Sequence, residues 1–277
     1  MAEALIDAVV DSIKILPILY LTYLLMEFIE DKASDKINGT IKKAGKAGPL
    51  IGGIFGLIPQ CGFSAAASSL YAARVITVGT LVAIFLSTSD EMLPILISSS
   101  VGAGEIAKIL VLKLCIGVIC GFIVDFFARG KRRDMDIHAI CERDHCECEN
   151  GNIFLSALKH TVNITVLIFL VLLALNMIIE YAGEDALASF IGNRPVIGPL
   201  TAAVVGLIPN CSSSVIITNL YAQGVLGFGT MMSGLLVNSG IGLLVLFKMN
   251  DDVKENLKIT GVLFVISVIC GIVIDLF

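Results

Sequence analysis

The sequence predicts an all-α membrane protein built from two repeats of inverted topology, and three observations lead to that prediction. The chain has 277 residues, of which 56% are hydrophobic and only 16% are charged, and its mean hydropathy is +0.92. Apolar stretches long enough to cross a bilayer recur along it. The second half also repeats the first at a constant offset. We therefore expect about five helical segments in each half, with broken helices at the midplane of the membrane.

Four apolar stretches supply the clearest membrane spans. Each provides about 20 residues, the length that crosses the hydrocarbon of a bilayer. They are Ile13–Ile29, Ile106–Phe127, Ile153–Ile179 and Ile259–Phe277. The first stretch carries no small-residue cleavage site and its equivalent is internal, so we do not expect a removable signal peptide. The prediction is a multi-pass protein of the plasma or inner membrane, whose first partner is the lipid bilayer.

The repeat is clearest at Gly56–Ser64, which returns as Gly206–Ser214. Between residues 56 and 80, 12 of 25 positions are identical to their counterparts 150 residues later. An ungapped match of that quality indicates an internal duplication, as in many transporters. We expect a first repeat at 1–128, a hydrophilic loop at 129–150 and a second repeat at 151–277.

The placement of basic residues predicts the orientation of the two halves. Three hydrophilic segments hold 14 of the 19 lysines and arginines, namely 30–47, 129–160 and 248–258. Such segments lie on the cytoplasmic side of a membrane. The segments equivalent to the first and third of these, 181–197 and 98–108, have Arg194 and Lys108 as their only basic residues. Equivalent loops therefore lie on opposite faces of the membrane. That requires an odd number of crossings per half, and it predicts both termini outside and the 129–150 loop in the cytoplasm.

Each repeat contains a polar break inside an apolar stretch. A helix broken by proline is tolerated in hydrocarbon only where it faces protein or a water-filled cavity. A helix that starts at such a break, which we expect from Ser64 or Ser214 onward, has free N–H groups and favours a thiolate, the form that binds soft metals. The candidate substrate ligands and helix-breaking prolines are Pro59, Gln60, Cys61 and Ser64 in the first half, and Pro209, Asn210, Cys211, Ser212, Ser213 and Ser214 in the second.

Two other interpretations of the breaks stay open. The proline and the small residues can simply allow close packing of helices, with the cysteines as small apolar side chains. The positive helix ends can also receive an anionic substrate.

Asp90 and Glu91 interrupt another apolar stretch and are candidates for proton or ion coupling, because ionisable residues at membrane depth are costly and usually functional. Their counterparts are Gly240 and Ile241, preceded by Asn238, which we add to the candidate substrate ligands. The alternative is an exposed loop between two half-length helices. Lys113 lies in an apolar span, where it can pair or reach the interface, and we assign it no role.

The hydrophilic loop contains a dense group of nitrogen and sulfur ligands, which suits zinc, copper or another thiophilic ion. The residues are His138, Cys141, His145, Cys146 and Cys148. Their spacing matches no structural zinc motif, and a disordered linker is the alternative. Cys120 and Cys270 also repeat, but they lie in plain apolar spans and are expected to serve in packing.

The paired breaks, the run Ser87–Pro94 and the loop with cysteine and histidine resemble the family of ten-transmembrane heavy-metal exporters, relatives of the arsenic permeases. Members carry the labels arsenic efflux protein or manganese transporter. The resemblance implies export of a metal or metalloid, with Cys61 and Cys211 in a central site and the pair Asp90–Glu91 as a family feature. The loop of this chain is compact and has no long histidine tract.

The functional expectation is a secondary transporter that exports a heavy metal or metalloid, and not an enzyme. No phosphate-binding glycine loop is present, so we expect coupling to an ion gradient or to a partner. The alternatives are an exporter of manganese or another divalent cation, a carrier of small organic anions, a channel, or a membrane thiol-redox protein. We expect no resident cofactor, with the metal ion as cargo, and no nucleic-acid partner. The sequence leaves a homo-oligomer open.

Overall fold

The computed structural model describes residues 2–31, 47–59, 61–89, 91–128, 153–182, 191 and 196–276. Within these ranges the regular structure is α-helical. The first half contains α1 (Ala2–Asp31), α2 (Gly48–Gly56), α3 (Cys61–Ala72), α4 (Val78–Ser87), α5 (Met92–Ser98) and α6 (Ala103–Ala128). The second half contains α7 (Ile153–Ala182), α8 (Ile197–Gly206), α9 (Cys211–Ala222), α10 (Phe228–Val237), α11 (Gly242–Met249) and α12 (Val253–Leu276).

The helix boundaries repeat with the sequence. Helices α3 and α9 begin at Cys61 and Cys211, which are equivalent positions, and the polar breaks precede both of them. The expectation that these helices begin at Ser64 and Ser214 is wrong by three residues. The reason is visible in the second half, where Asn210 occupies the N-cap position of α9 and its side chain accepts from the Ser212 N–H. Each cysteine is therefore the first residue of its helix.

Helices α2 and α4 lie side by side and run in the same direction. Gly48 lies against Thr80 at the start of α4, and Gly56 lies against Ser87 at its end. A β-carbon on Gly52 would be 3.0 Å from Cγ1 of Ile84, between these two contacts. Because α3 leads back to the start of α4, the α2–α3 pair is a hairpin whose tip, at residues 57–59, lies near the end of α4. We call it the first hairpin.

The second half repeats this arrangement. The Ser233 hydroxyl of α10 donates to the Pro199 carbonyl of α8 at 2.8 Å. At the other end of the contact, a β-carbon on Gly206 would be 2.7 Å from Cγ1 of Val237. The α8–α9 pair therefore forms a second hairpin, with its tip at residues 207–210 near the end of α10.

A repeated aspartate holds the start of each central helix. Asp125 Oδ1 accepts a hydrogen bond from the Gly79 N–H at 2.8 Å, and its Oδ2 accepts from the Thr77 hydroxyl at 2.7 Å. Asp275 accepts from the Gly229 N–H at 2.7 Å in the same way. A carboxylate at this position satisfies N–H groups that have no partner within the helix and opposes their partial positive charge.

One helical turn before each of these aspartates, close contact between helices requires a glycine. A β-carbon on Gly121 would be 2.6 Å from the Gly79 carbonyl oxygen, and one on Gly271 would be 2.7 Å from that of Gly229. These contacts explain why the Cys-Gly pairs at 120–121 and 270–271 recur with the aspartates. The cysteines themselves are half-buried in this helix packing.

The two halves interlock. Helix α11 of the second half packs on α3 of the first, and α5 of the first half packs on α9 of the second. The Ser68 hydroxyl of α3 donates to the Gly242 carbonyl of α11 at 2.7 Å. Each hairpin is thus covered by a short helix from the opposite half, and the core is shared between the halves rather than divided.

Five stretches of the described residues are long and apolar enough to cross a membrane. Two of them are largely buried in the protein, Val78–Ser98 at 71% and Phe228–Met249 at 89%. The stretches Ala103–Ala128, Ala157–Met177 and Val253–Leu276 are only 22 to 24% buried. Their exposed side chains are largely apolar, as expected of lipid-facing helices. The fold therefore has a central layer of α4, α5, α10 and α11, with α6, α7 and α12 outside it.

Candidate functional site

The tip of the second hairpin is organised by Asn210, which is only 1% exposed. Its Oδ1 accepts from the Ser212 N–H at 3.4 Å, and its Nδ2 donates to Oδ1 of Asn176 in α7 at 2.5 Å. Both ends of the amide are therefore in use. In this arrangement Asn210 holds the start of α9, and its oxygen is directed at the helix end.

Asn238 connects the same tip to the break that follows α10. Its Nδ2 donates to the Ser213 hydroxyl oxygen at 3.0 Å, and its Oδ1 accepts from the Gly240 N–H at 2.7 Å. The Ser213 hydroxyl in turn donates to the Asn210 carbonyl at 2.8 Å. Asn210, Ser213 and Asn238 are all buried. The structure thus brings three of the predicted site residues into one hydrogen-bonded network.

Ser239 adds a buried hydroxyl without a partner beside this network. Its side-chain oxygen has no hydrogen bond to any described residue, although Ser239 is only 1% exposed. Its counterpart Ser89 donates to the Leu57 carbonyl, at the tip of the first hairpin, at 2.8 Å. An unsatisfied buried hydroxyl is costly and needs an explanation.

The start of α3 approaches the second half directly. Ser64 is fully buried, and a β-carbon on Gly242 would be 2.8 Å from the Ser64 β-carbon. Gly242 follows the Asn238–Gly240 break by two residues. The segment 238–242 therefore touches both hairpins, through Ser213 on one side and Ser64 on the other. Through this segment, the two predicted half-sites approach each other within the described part of the chain.

The remaining candidate residues are distributed around this segment. Cys211 is buried at 5% exposure, and its carbonyl accepts from the Ser214 hydroxyl at 2.8 Å. Ser212 and Pro209 are half-buried and Pro59 is exposed. Cys61 is placed as the first residue of α3, but its side chain lies outside the described part of the structure, as do Gln60 and Asp90.

Glu91 lies at the N-cap position of α5 and is half-buried. It is two residues from Ser89, whose hydrogen bond to Leu57 attaches this polar run to the tip of the first hairpin. Glu91 therefore lies close in sequence to a residue that contacts the first hairpin. The second half has Asn238 and Ser239 in the corresponding region.

The comparison with protein families decides the identity of the chain. The family model described as "Putative, 10TM heavy-metal exporter" matches residues 2–182 and again 149–277, so the two matches together cover almost the whole chain. The chain belongs to this exporter family. No curated protein and no solved structure matches it.

Membership of the exporter family establishes the general class of the protein. The family is one of multi-pass membrane transporters, so the chain works in a lipid bilayer on a small substrate. A transporter family is not an enzyme class. The predicted resemblance of the chain to this family is confirmed.

The ligand-rich loop at 129–150 lies outside the described residues, so its predicted metal site stays a prediction. In the described ranges, no group of three histidine, cysteine, aspartate or glutamate residues is arranged to hold a metal ion.

Lys113 is the buried cation that the sequence left without a role. It is 1% exposed, and its Nζ donates to the Leu235 carbonyl oxygen at 2.8 Å. Leu235 lies in the last turn of α10, where carbonyl groups have no partner within the helix. An ammonium group at this end also suits the negative end of the helix dipole. Lys113 thus joins α6 of the first half to α10 of the second.

Asn176 was not among the candidate residues predicted from the sequence. The signal that could have found it is a single polar residue inside the apolar run from Val166 to Met177, since a polar side chain in a span usually faces the protein interior. Its counterpart in the first half is Met26, so the repeat offered no help.

An apolar depression of about 300 Å³ lies beside the second hairpin tip. Its lining is Leu207, Pro209, Leu243, Leu244, Phe247 and Thr260. This lining offers almost no polar group to an ion. We therefore place the candidate site at the Asn210, Ser213 and Asn238 network and not in the depression.

Proposed function

We propose that the protein is a secondary-active transporter that exports a heavy metal or metalloid species, held between the tips of the two hairpins. The observation that carries this proposal is the buried polar network from Asn176 through Asn210 and Ser213 to Asn238. Burying so many polar groups in a membrane protein costs free energy. Polar residues at membrane depth are therefore usually retained for a function. The contact of Gly242 with Ser64 extends the site to the first hairpin.

We infer that the halves are inverted repeats, and the contacts at the ends of α6 and α12 support this. The end of α6 reaches the start of α4 through Asp125, whereas its beginning reaches α9 through the hydrogen bond between Tyr221 and Glu105. The beginning of α12 reaches the loop before α4, where Arg74 pairs with Glu255. Equivalent helices then run in opposite directions. Each half would have three crossings and one re-entrant hairpin, an odd number as inversion requires.

The same contacts are consistent with the orientation from the charge pattern. The end of α6 and the start of α12 lie at the same end of the bundle in this arrangement. The basic segment 129–160 follows the end of α6, and the basic segment 248–258 includes the start of α12. We assign that end to the cytoplasm, with both termini outside. The repeats would span 1–128 and 151–277, with a cytoplasmic loop at 129–150.

The proposed ligands at the two tips combine thiols with neutral oxygens. Cys61 and Cys211 each start a helix, where the helix dipole favours thiolate. Thiolate binds soft metals and trivalent metalloids. The other proposed ligands are Ser64, Ser212, Ser213, Ser214 and the amides of Gln60, Asn210 and Asn238, and Ser239 adds a hydroxyl that is free to meet a substrate.

Transport would proceed by alternating access, in which the two halves rock about the central site. Asp90 and Glu91 are the proposed coupling residues, since they occur in one half only and follow Ser89, which binds the tip of the first hairpin. Protonation of one carboxylate can couple the movement to a proton gradient.

A divalent-cation exporter, for example of manganese, is the second candidate. The half-buried Glu91 and the oxygens of the serine and asparagine side chains favour it. Hard cations prefer carboxylate and carbonyl oxygens to thiolate. In this case the acidic pair and not the cysteines would bind the cargo.

The test is a substrate screen in proteoliposomes with arsenite, methylarsenite, manganese, zinc and small organic anions. Thiol-based transport predicts that Cys61→Ser/Cys211→Ser loses transport of the soft species. Cys115→Ser is the matched control, because Cys115 lies on the exposed face of α6. Undiminished transport by the double variant would overturn the thiol site, and loss of manganese transport in Glu91→Gln alone would favour the second candidate.

A further inference from the structure

Arg74 and Gly224 are equivalent residues with the same unusual backbone conformation. Each follows the helix that returns from a hairpin tip, and each has positive φ, 60° at Arg74 and 74° at Gly224. Glycine adopts this conformation freely, whereas a side chain with a β-carbon is strained in it. The first half therefore carries an arginine where the second half has the residue best suited to the backbone. Strain that persists in a structure is a reason to look for a function.

The side chain of Arg74 crosses to the second half. Its Nη2 lies 2.9 Å from Oε2 of Glu255, and its Nη1 lies 3.3 Å from Oε1. The Tyr71 hydroxyl donates to the same Oε1 at 2.7 Å, and the guanidinium lies 5.1 Å from the centre of the Tyr71 ring. Asn250 accepts from Arg74 Nη2 at 3.3 Å and donates to Glu255 at 3.3 Å.

This cluster joins the first hairpin to the α11–α12 turn of the other half. Tyr71 is in α3 and Arg74 is two residues beyond its end, while Asn250 and Glu255 lie on either side of the start of α12. The side chains of Arg74 and Glu255 are 14% and 32% exposed. A bidentate contact between an arginine and a carboxylate, in a partly buried position, is among the strong charge-assisted hydrogen bonds.

The equivalent contact at the second hairpin retains the tyrosine and the glutamate but lacks the arginine and the asparagine. The Tyr221 hydroxyl donates to Oε1 of Glu105, as Tyr71 does to Glu255. Gly224 replaces the arginine and Ser100 replaces Asn250. The Tyr221–Glu105 contact is exposed, so water competes with it. The two hairpins are therefore attached to the opposite half by contacts of unequal strength.

We propose that Tyr71, Arg74, Glu255 and Asn250 form a latch that closes the first hairpin, and that the second hairpin is the end that opens first. The assignment of the hairpins as gates rests on the proposed transport function. By the charge pattern the latch lies at the cytoplasmic end, so the resting protein is closed to the cytoplasm. Release of Arg74 from Glu255 is then the step that admits cargo from inside.

The experiment measures amide hydrogen exchange by mass spectrometry on the full-length protein in lipid nanodiscs. In the wild type we expect slower exchange in peptides that cover 248–256 than in those that cover 98–106. Arg74→Gly places the residue of the second half in the first, so it keeps the backbone conformation and removes the guanidinium. We expect exchange at 248–256 to rise about tenfold, the effect of losing a charged hydrogen bond, with 98–106 unchanged.

Glu255→Gln and Glu105→Gln form the matched pair. Glu255→Gln should reproduce the Arg74→Gly increase at 248–256, and Glu105→Gln should change exchange at 98–106 by less than about threefold, as an exposed contact would. The double variant Arg74→Gly/Glu255→Gln should match either single variant, because both remove one interaction. Equal effects at the two ends, or additive effects in the double variant, would overturn the latch.

The spread of the faster exchange distinguishes a latch from an ordinary structural ion pair. Faster exchange over the whole chain in Arg74→Gly, with a lower unfolding temperature, would show such an ion pair and would also overturn the latch. Exchange needs no cargo, so failure of every substrate in the transport screen would refute the proposed function while the unequal contacts could still be confirmed. If exchange is slower at 248–256 than at 98–106 in the wild type, and Arg74→Gly removes that difference, the latch is supported whether or not the transport screen finds a substrate.

Discussion

Asn210 donates its side-chain N–H to the side-chain oxygen of Asn176, with 2.5 Å between Nδ2 and Oδ1. The bond ties a helix in the outer layer, α7, to the tip of the second hairpin. It also directs the oxygen of Asn210 toward the N–H groups at the start of α9. The side chain that caps α9, directly before Cys211, is therefore bound by a side chain in a distant helix.

Asn176→Leu should loosen the second hairpin tip. The substitution leaves the buried amide of Asn210 without its acceptor, a loss of about 1–3 kcal/mol. We expect a lower unfolding temperature in detergent and faster amide exchange at 207–214. Met177→Leu, at an exposed position of the same helix, is the control and should change neither quantity. Equal stability of the two variants would contradict the role of Asn176.

Ser239→Ala tests whether the unpartnered hydroxyl serves the cargo. Since its oxygen has no partner among the described residues, its removal should leave the unfolding temperature unchanged or raise it. Transport should fall if the substrate is the missing partner. Ser89→Ala is the matched variant in the first half, and it should lose about 1 kcal/mol because it removes the bond to Leu57. Unchanged transport in Ser239→Ala would exclude the hydroxyl from the site.

Gly242→Ala should disturb the contact between the halves. Its new β-carbon would be 2.8 Å from the Ser64 β-carbon and 3.0 Å from the Ser64 carbonyl oxygen. Overpacking of this kind destabilises by about 1–3 kcal/mol, which melting curves in detergent will detect. Gly261→Ala is the control, because a β-carbon at Gly261 meets no atom within 4 Å. A similar melting temperature for the two variants would show that α3 and α11 can separate without loss.

Asp125→Ala and Asp275→Ala should have similar effects. Each removes the carboxylate that accepts from a glycine N–H at the start of a central helix. Loss of such a cap lowers stability by about 0.5–2 kcal/mol. Comparing the two variants by thermal unfolding also tests the equivalence of the halves, and a loss confined to one of them would argue against it.

The orientation is open to a direct test with reporter fusions. A reporter that is active only outside the cytoplasm should be active at the C-terminus and inactive when inserted in the 129–150 loop. The expected difference follows from the concentration of lysine and arginine in three segments. Activity in the loop, or a cytoplasmic C-terminus, would refute the inverted topology as proposed.

Local sequence was sufficient for several features. The prolines and small polar residues at 57–64 and 207–214 predicted the breaks, because they interrupt apolar runs in a way that hydrocarbon does not tolerate without a reason. The helix starts were placed three residues late, since the N-cap at Asn210 is visible only once its bond to the Ser212 N–H is known. Asn176 and Lys113 escaped functional assignment because their partners lie in distant helices.

The sequence by itself determined the membrane setting and the family, and its 150-residue offset predicted the duplication, because hydropathy and motif spacing are properties of short stretches of chain. Only the tertiary structure decided that α2 runs parallel to α4, that each hairpin is covered by the opposite half, and that Arg74 binds Glu255. These features depend on contacts between residues far apart in the chain. No local pattern encodes them, since helix packing is chosen by the shapes of both surfaces together.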